Sequence, residues 1–175
     1  LGVALADKQE KDLADKPTAN VAAYDAFLRG EEASGLLTNT DPPSLRRALA
    51  FYEQAVALDP AFAQAWARIG SANALLYGNG IPSPELAARS RQAAEKAIAL
   101  APDRPEGHLA MGTMYRLTQG DSGRSLQEYT KALELAPGRP DLLRGMANLE
   151  MTMGRFDDAL AHQREWRRCV RGERR

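Results

Sequence analysis

The chain has 175 residues, of which 44% are apolar and 6% aromatic, and 31 of them are alanine. Its 23 basic and 23 acidic residues give a formal net charge of zero, which disfavours a nucleic-acid-binding domain because such domains usually carry a basic excess. The single cysteine, Cys169, excludes an internal disulfide framework and is typical of a reducing, cytoplasmic compartment. No apolar run of about 18 residues is present, so no membrane span is predicted.

The first segment, residues 1–17, is compatible with a helix but stops at Pro17. We expect it to be a linker or the tail of an upstream domain. The sequence has neither an initiator methionine nor a signal peptide, so we expect Leu1 to lie inside a longer protein.

The rest of the chain predicts helices throughout. Alanine has the highest helix propensity and little bulk, which favours closely packed helices, and Val-, Ile- and Thr-rich strand runs are absent. The predicted helices are, in chain order, 20–37, 44–58, 62–77, 84–100, 105–118, 122–136, 140–153 and 156–170. Ser44 and Ser83 are the expected N-caps of the second and fourth helices, and Pro84 suits a first helical turn.

Three similar joins separate these helices: ALDPAFAQAWARIG (57–70), ALAPDRPEGHLAMG (99–112) and ELAPGRPDLLRGMA (134–147). Their prolines, Pro60, Pro102 and Pro137, are 42 and 35 residues apart, which is a period near 34 with insertions. A large side chain follows each proline by six residues, and a small residue follows four later: Trp66 and Gly70, His108 and Gly112, Leu143 and Ala147.

This pattern resembles the tetratricopeptide-repeat family over roughly residues 20–171. The resemblance implies an all-α, right-handed α-solenoid of about four helix–turn–helix repeats. It places an array at 18–171, with repeats at about 20–60, 61–102, 103–137 and 138–171, and a basic tail at 172–175. The aromatic residues expected to fill the space between helices are Tyr52, Trp66, Tyr115, Tyr129 and Phe156.

No catalytic set of residues is recognisable. His108 and His162 have no neighbouring ligand pattern, so we expect no metal, and the position of His108 in the repeat predicts a packing role. Cys169 lies among arginines without a recognisable acid or base partner, which favours an inert thiol. The sequence therefore predicts neither an enzyme nor a cofactor.

The family resemblance implies that the first helix of each repeat lines a concave face. Carried over by repeat position, the residues expected there are Gln64, Ser71, Glu106, Leu109, Thr113, Arg116, Asp141, Arg144, Asn148 and Met151. Arg144 and Asn148 have the spacing of family members that clamp a carboxylate, but the matching positions of the second repeat are Ala67 and Ser71. A mixed groove for an extended peptide or a helix fits better, with a solvated face as the alternative.

The resemblance thus implies a non-catalytic scaffold that binds a peptide or a partner protein in its concave groove. A second hypothesis follows from KPTANVAAYDAFLRG (16–30), which resembles the segment before such arrays in multidomain bacterial signalling proteins of the cyclase, kinase and TolB-like types. It implies a regulatory or oligomerisation arm of a signalling enzyme or transcription regulator.

The two enlarged turns and the basic C-terminal run each leave alternatives open. The enlarged turns at 38–44 and 78–84 are either a binding edge or tolerated surface loops. The basic run at 164–175 either contacts an acidic partner or membrane surface, or ends a helix whose Trp166 and Val170 form an exposed apolar edge. Such an edge favours self-association through the terminal repeats.

Overall fold

The computed structural model describes residues 17–35, 41–80 and 82–171. Within these ranges every regular element is helical, in agreement with the all-α prediction. The helices are α1 Val21–Ser34, α2 Pro42–Leu58, α3 Ala63–Gly78, α4 Pro84–Leu100, α5 Pro105–Met114, α6 Ser122–Leu135, α7 Pro140–Thr152 and α8 Phe156–Val170. Residues 1–16 of the predicted segment 1–17, the predicted basic tail 172–175, and positions 38–40 of the enlarged turn at 38–44 lie outside the described residues.

Each helix packs against the next one along the chain, which produces the pairs α1–α2, α3–α4, α5–α6 and α7–α8. In addition, α3 packs against α5, and α5 against α7. The first helices of the last three pairs, α3, α5 and α7, therefore lie side by side.

Side chains and prolines fix where the helices begin. The Ser83 hydroxyl oxygen accepts a hydrogen bond from the Leu86 backbone N–H at 3.1 Å, so its predicted capping role is confirmed. The prediction for Ser44 is wrong, because Asp41 is the N-cap and its carboxylate accepts from the Ser44 N–H at 2.9 Å. The helix can start earlier because Pro42 occupies its first turn, where a missing N–H donor costs nothing.

Aromatic rings fill the spaces between paired helices where a glycine makes room. Tyr52 and Tyr129 are buried, and they lie against Gly30 and Gly112 respectively. Phe156 is the exception to the prediction: it is 58% exposed, because no described helix covers the face of α8 on which it lies.

Helix α5 departs from the predicted single run to residue 118. It ends at Met114, and Tyr115–Gln119 continue as one π-helical turn that closes at Gly120, with φ of 66°. The Tyr115 ring lies between the guanidinium groups of Arg91 and Arg124, 6.0 and 5.5 Å from its centroid. This contact anchors the widened turn.

Two negative findings apply to the described ranges. No helix in them has the length and apolar composition needed to cross a membrane. Nor do these ranges contain a group of three or more His, Cys, Asp or Glu residues that could hold a metal ion.

Candidate binding groove

A cavity of about 160 Å³ opens between α3, α5 and α7, and we call it the groove cavity. It is lined by seven of the ten residues that the sequence placed on the concave face: Ser71, Leu109, Thr113, Arg116, Asp141, Arg144 and Asn148. Four residues that the sequence did not single out as site residues complete the lining: Arg68, Leu75, Tyr129 and Gly145.

The other three predicted residues lie elsewhere. Gln64 and Glu106 line a second cavity of about 310 Å³ near the starts of α3 and α5. Both precede the groove-lining residue of their own helix, Ser71 or Thr113, by seven positions, which is roughly 10 Å along a helix axis. Met151, near the end of α7, is 47% exposed and lines neither cavity.

A buried chain of polar groups holds Arg68 at the edge of the groove cavity. Its Nη2 atom lies 2.7 Å from Glu31 Oε2, and the Tyr52 hydroxyl donates to Glu31 Oε1 at 2.6 Å. Burial, reinforced by the Glu31 carboxylate, raises the pKa of Tyr52, so this hydroxyl stays a donor. Burial alone would lower the pKa of Arg68, but attraction to Glu31 outweighs it and the pKa rises. The guanidinium therefore remains charged although only 8% of the residue is exposed.

Asp141, on the opposite wall, is already neutralised by an arginine. Arg139 contacts both of its carboxylate oxygens, at 2.6 and 3.0 Å, and also reaches Glu106 Oε1 at 2.6 Å. Burial would raise the pKa of Asp141, but its hydrogen bonds to Arg139 and the positive charge there lower the pKa. The network ties the starts of α5 and α7 together.

Arg116 and Arg144 add positive charge to the walls. Arg116 lies in the π-helical turn and is half-buried. Burial lowers the pKa of Arg144, and the nearby Arg68 charge lowers it further against the opposing effect of Asp141. Arg68 is paired with Glu31, and Asp141 with Arg139. The positive charge at the groove cavity therefore comes from Arg116 and Arg144, and it suits an anionic group.

Two of these guanidinium groups have unused hydrogen-bond donors. The Nε atoms of Arg68 and Arg116 are buried and have no hydrogen-bond partner in the described part of the chain. An unsatisfied buried donor costs about 1–3 kcal/mol, so both guanidinium groups are held in place with part of their hydrogen-bonding capacity unused.

Sequence reasoning missed Arg68, although the sequence contained a signal for it. An arginine inside the apolar run AWARIGSANALL (65–76) is unusual, because charged side chains are rarely buried without a partner. Its partner, Glu31, is 37 residues away along the chain and could not be assigned from the sequence.

The two histidines lie outside the groove cavity. His108 is 2% exposed, with Nδ1 2.7 Å from Glu128 Oε2, and its predicted packing role is confirmed. His162 Nδ1 lies 2.8 Å from Glu150 Oε2, which joins the helices of the last pair.

Comparisons with known proteins bear on the fold. No protein-family model matches the chain, and no curated protein matches it. A crystal structure of MamA superposes with a TM-score of 0.52 at 19% identity, covering 94% of this chain and 85% of that one. MamA 41-end from Desulfovibrio magneticus RS-1 gives a TM-score of 0.53 at 15% identity, covering 87% and 78%.

The fold is that of a tetratricopeptide-type α-solenoid. The predicted solenoid is thereby confirmed. At these identities the likeness establishes the fold alone, and what the chain binds must be argued from its own groove cavity.

Proposed function

We propose that the chain is a non-catalytic protein-interaction scaffold that binds a segment of a partner protein in the groove cavity. The observation that carries this proposal is the cavity between α3, α5 and α7, whose lining includes the guanidinium groups of Arg116 and Arg144. The first helices of a tetratricopeptide-type solenoid offer a continuous surface to an extended or helical segment.

The chemistry of the lining selects an acidic segment. A carboxylate placed between Arg116 and Arg144 would accept charge-assisted hydrogen bonds from guanidinium groups, which are about twice as strong as neutral ones. Asn148 lies exposed at the rim, and Leu75 and Leu109 supply apolar contact beside the charged groups. The segment that fits therefore combines a carboxylate with an apolar neighbour.

The regulatory or oligomerisation arm of a larger bacterial signalling protein stays a prediction from residues 16–30. No described contact bears on it. A cytoplasmic location likewise stays a prediction from the cysteine content.

A peptide selection tests the groove assignment. Peptides selected from a phage-displayed random library on the wild-type chain are measured by fluorescence anisotropy against Arg116→Gln and against Arg144→Gln with Asn148→Ala. Each variant is expected to bind roughly tenfold more weakly or worse, because a hydrogen bond to a charged group contributes about 1.5–3 kcal/mol, while the helix content seen by circular dichroism is unchanged.

The control variant is Arg46→Gln, which changes an exposed arginine of α2 that does not line the groove cavity. It should bind the selected peptides as the wild type does. Equal affinity of the wild type and the groove variants would contradict the assignment.

A further inference from the structure

Both ends of the described solenoid present a helix face that no described helix covers. On α1 the side chains of Val21 and Leu28 are exposed, Leu28 by 46%. On α8 those of Phe156, Leu160 and Val170 are exposed, Leu160 by 47%. These are the two faces at which an internal helix pair would meet its neighbour.

The internal junction between α4 and α5 shows what normally occupies the first of these faces. On α5 three residues of this face are buried: Gly107, five positions before Gly112; Ala110, two positions before it; and Met114, two positions after it. Counted in the same way from Gly30, the matching residues of α1 are Asp25, Leu28 and Glu32, and all three are exposed. The face of α1 thus carries two carboxylates at positions that are apolar and buried on α5. One of them, Asp25, also forms an exposed ion pair with Arg29 of the same helix at 3.0 Å, which contributes little in water.

The second helices show the complementary change. Ile98 of α4, eight positions after the buried Ser90, packs so closely on Gly107 that an added Cβ there would lie 2.8 Å from Ile98 Cγ1. On α8 the residue eight positions after the buried Ala159 is Arg167, and it is exposed.

The position after the small residue is apolar on α2 and on α8, whereas on α4 it is Arg91. Leu49, one position after Ala48 on α2, is buried among the residues of α1 and α3. Its counterpart on α8, one position after Ala159, is Leu160, which is exposed. The α8 face therefore keeps its apolar residue and adds positive charge.

We propose that the α1 face of one copy of the chain binds the α8 face of another, in the same way that α5 packs on α4. Asp25 then faces Arg167, the counterpart of the Gly107–Ile98 contact. Leu28 then lies toward Gln163, because its counterpart on α7, Gly145, lies against Tyr129, the counterpart of Gln163 on α6. Four arginines and one glutamate are exposed within residues 164–171, which are the C-terminal half of α8 and the residue that follows it. In the proposed contact they lie opposite Asp25 and Glu32. The charge complementarity selects a second copy as the occupant.

The contact joins two different surfaces, so it does not close on itself as a two-fold dimer does. Repetition produces open chains of copies whose length grows with protein concentration. Because the charged groups are exposed, added salt should shorten these chains. The inference is independent of the groove cavity, and peptide binding and self-association can succeed or fail separately.

Sedimentation velocity over a range of concentrations tests the proposal on the complete chain. We expect the mean mass of the wild type to rise with concentration in 50 mM salt and to fall toward the monomer at 500 mM. Asp25→Arg alone and Arg167→Asp alone should each be monomeric. The double variant, Asp25→Arg with Arg167→Asp, should associate again, because the charges are exchanged rather than lost.

A mixing experiment establishes which surfaces meet. Leu28→Asp blocks one face and Leu160→Asp the other, so each variant alone should be monomeric, while their mixture should form 1:1 dimers and nothing larger. Leu135→Asp, at an exposed leucine away from both faces, is the matched control and should associate as the wild type does.

Three outcomes would overturn the proposal. The first is a wild type that stays monomeric at every concentration and salt level. The second is association that neither charge reversal weakens. The third is a mixture of the two leucine variants that fails to form dimers.

Discussion

At the scale of single residues, the closest helix approach depends on rings that lie directly on glycines. An added Cβ on Gly112 would lie 2.5 Å from Cδ1 of Tyr129, a distance that real Cβ atoms do not show. The Tyr129 hydroxyl is also held at 3.0 Å from Thr113 Oγ1, so the ring cannot move freely. The absence of one side chain therefore fixes the separation of α5 and α6.

We predict that Gly112→Ala destabilises the protein by about 1–3 kcal/mol, since an extra methyl group overpacks this contact. Gly123→Ala is the matched control, because an added Cβ there meets only the Asp121 carboxylate at 3.5 Å. It should be neutral or slightly stabilising, as alanine is favoured over glycine in helices. Urea unfolding followed by circular dichroism measures both. A Gly112→Ala midpoint equal to the wild type would show that the ring moves aside.

Sequence reasoning was sound for residues whose role is set by local spacing, and weak where the role depends on a distant partner. The close helix contacts at the small residues Gly70 and Gly112 could be predicted from the repeat pattern. Arg68 could not be placed, since its position depends on Glu31 of another helix pair. The prediction that Phe156 is buried was wrong, because the repeat pattern implies a neighbouring helix that covers α8, and no described helix does so.

At the scale of helices, α5 and α7 are joined at their starts by the contacts of Arg139 with Glu106 and Asp141. The pKa of Asp141 is lowered below its ordinary value of 3.8. A carboxyl group with a lowered folded-state pKa binds fewer protons than the same group in the unfolded chain. Its contribution to stability is therefore complete above the unfolded pKa and is lost as the pH falls through the folded pKa.

We predict that Asp141→Asn lowers the melting temperature at pH 7, and that the difference from the wild type shrinks as the pH falls from about 4 toward 2. Melting temperatures measured by circular dichroism across this range test the prediction. Asp103→Asn, at an exposed carboxylate in a turn, should follow the wild type throughout. A difference that stays constant down to pH 2 would mean that the Asp141 charge does not stabilise the pair.

Helix positions were largely predictable because prolines and capping residues are local signals. The bounds of α4 and α8 agree with the predicted 84–100 and 156–170. The π-helical turn after α5 was not predictable, since it is anchored by Tyr115 packing between Arg91 and Arg124 of two other helices. Arg116 lies in this turn, so the geometry of the groove wall was equally out of reach.

At the scale of the whole molecule, Trp66 links two parts of the core. It packs against the apolar cluster of α1, α2 and α3 and also against the cluster of α3, α4 and α5. Its ring nitrogen donates to the Pro60 carbonyl oxygen at 3.0 Å, which also fixes the corner between α2 and α3. In a solenoid such contacts between neighbours carry the cooperativity of folding.

We predict that Trp66→Ala costs about 3 kcal/mol, the lower end for truncating a buried tryptophan, because this side chain is half-buried. It should also split unfolding into two steps. Tryptophan fluorescence reports on Trp66 and Trp166 in the wild type and on Trp166 of α8 alone in the variant, and circular dichroism reports on all helices. The two transitions should coincide in the wild type and separate in the variant. Coincident transitions in Trp66→Ala would place the coupling elsewhere.

The architecture of the whole molecule was accessible from the sequence because the period near 34 residues is repeated. The site was accessible only in part. Repeat position predicts which side of a helix a residue lies on. It does not predict that Gln64 and Glu106, which lie about two turns closer to the starts of their helices, line a different cavity.

Two serine hydroxyls keep the paired helices in a fixed rotational setting. Ser90 of α4 donates to the Gly70 carbonyl oxygen of α3, and Ser125 of α6 to the Gly112 carbonyl oxygen of α5, each at 2.8 Å. Neither serine lines the groove cavity. The rotational setting of the helices around the groove cavity is thus fixed from behind it, so lining residues can be exchanged without touching these two hydrogen bonds.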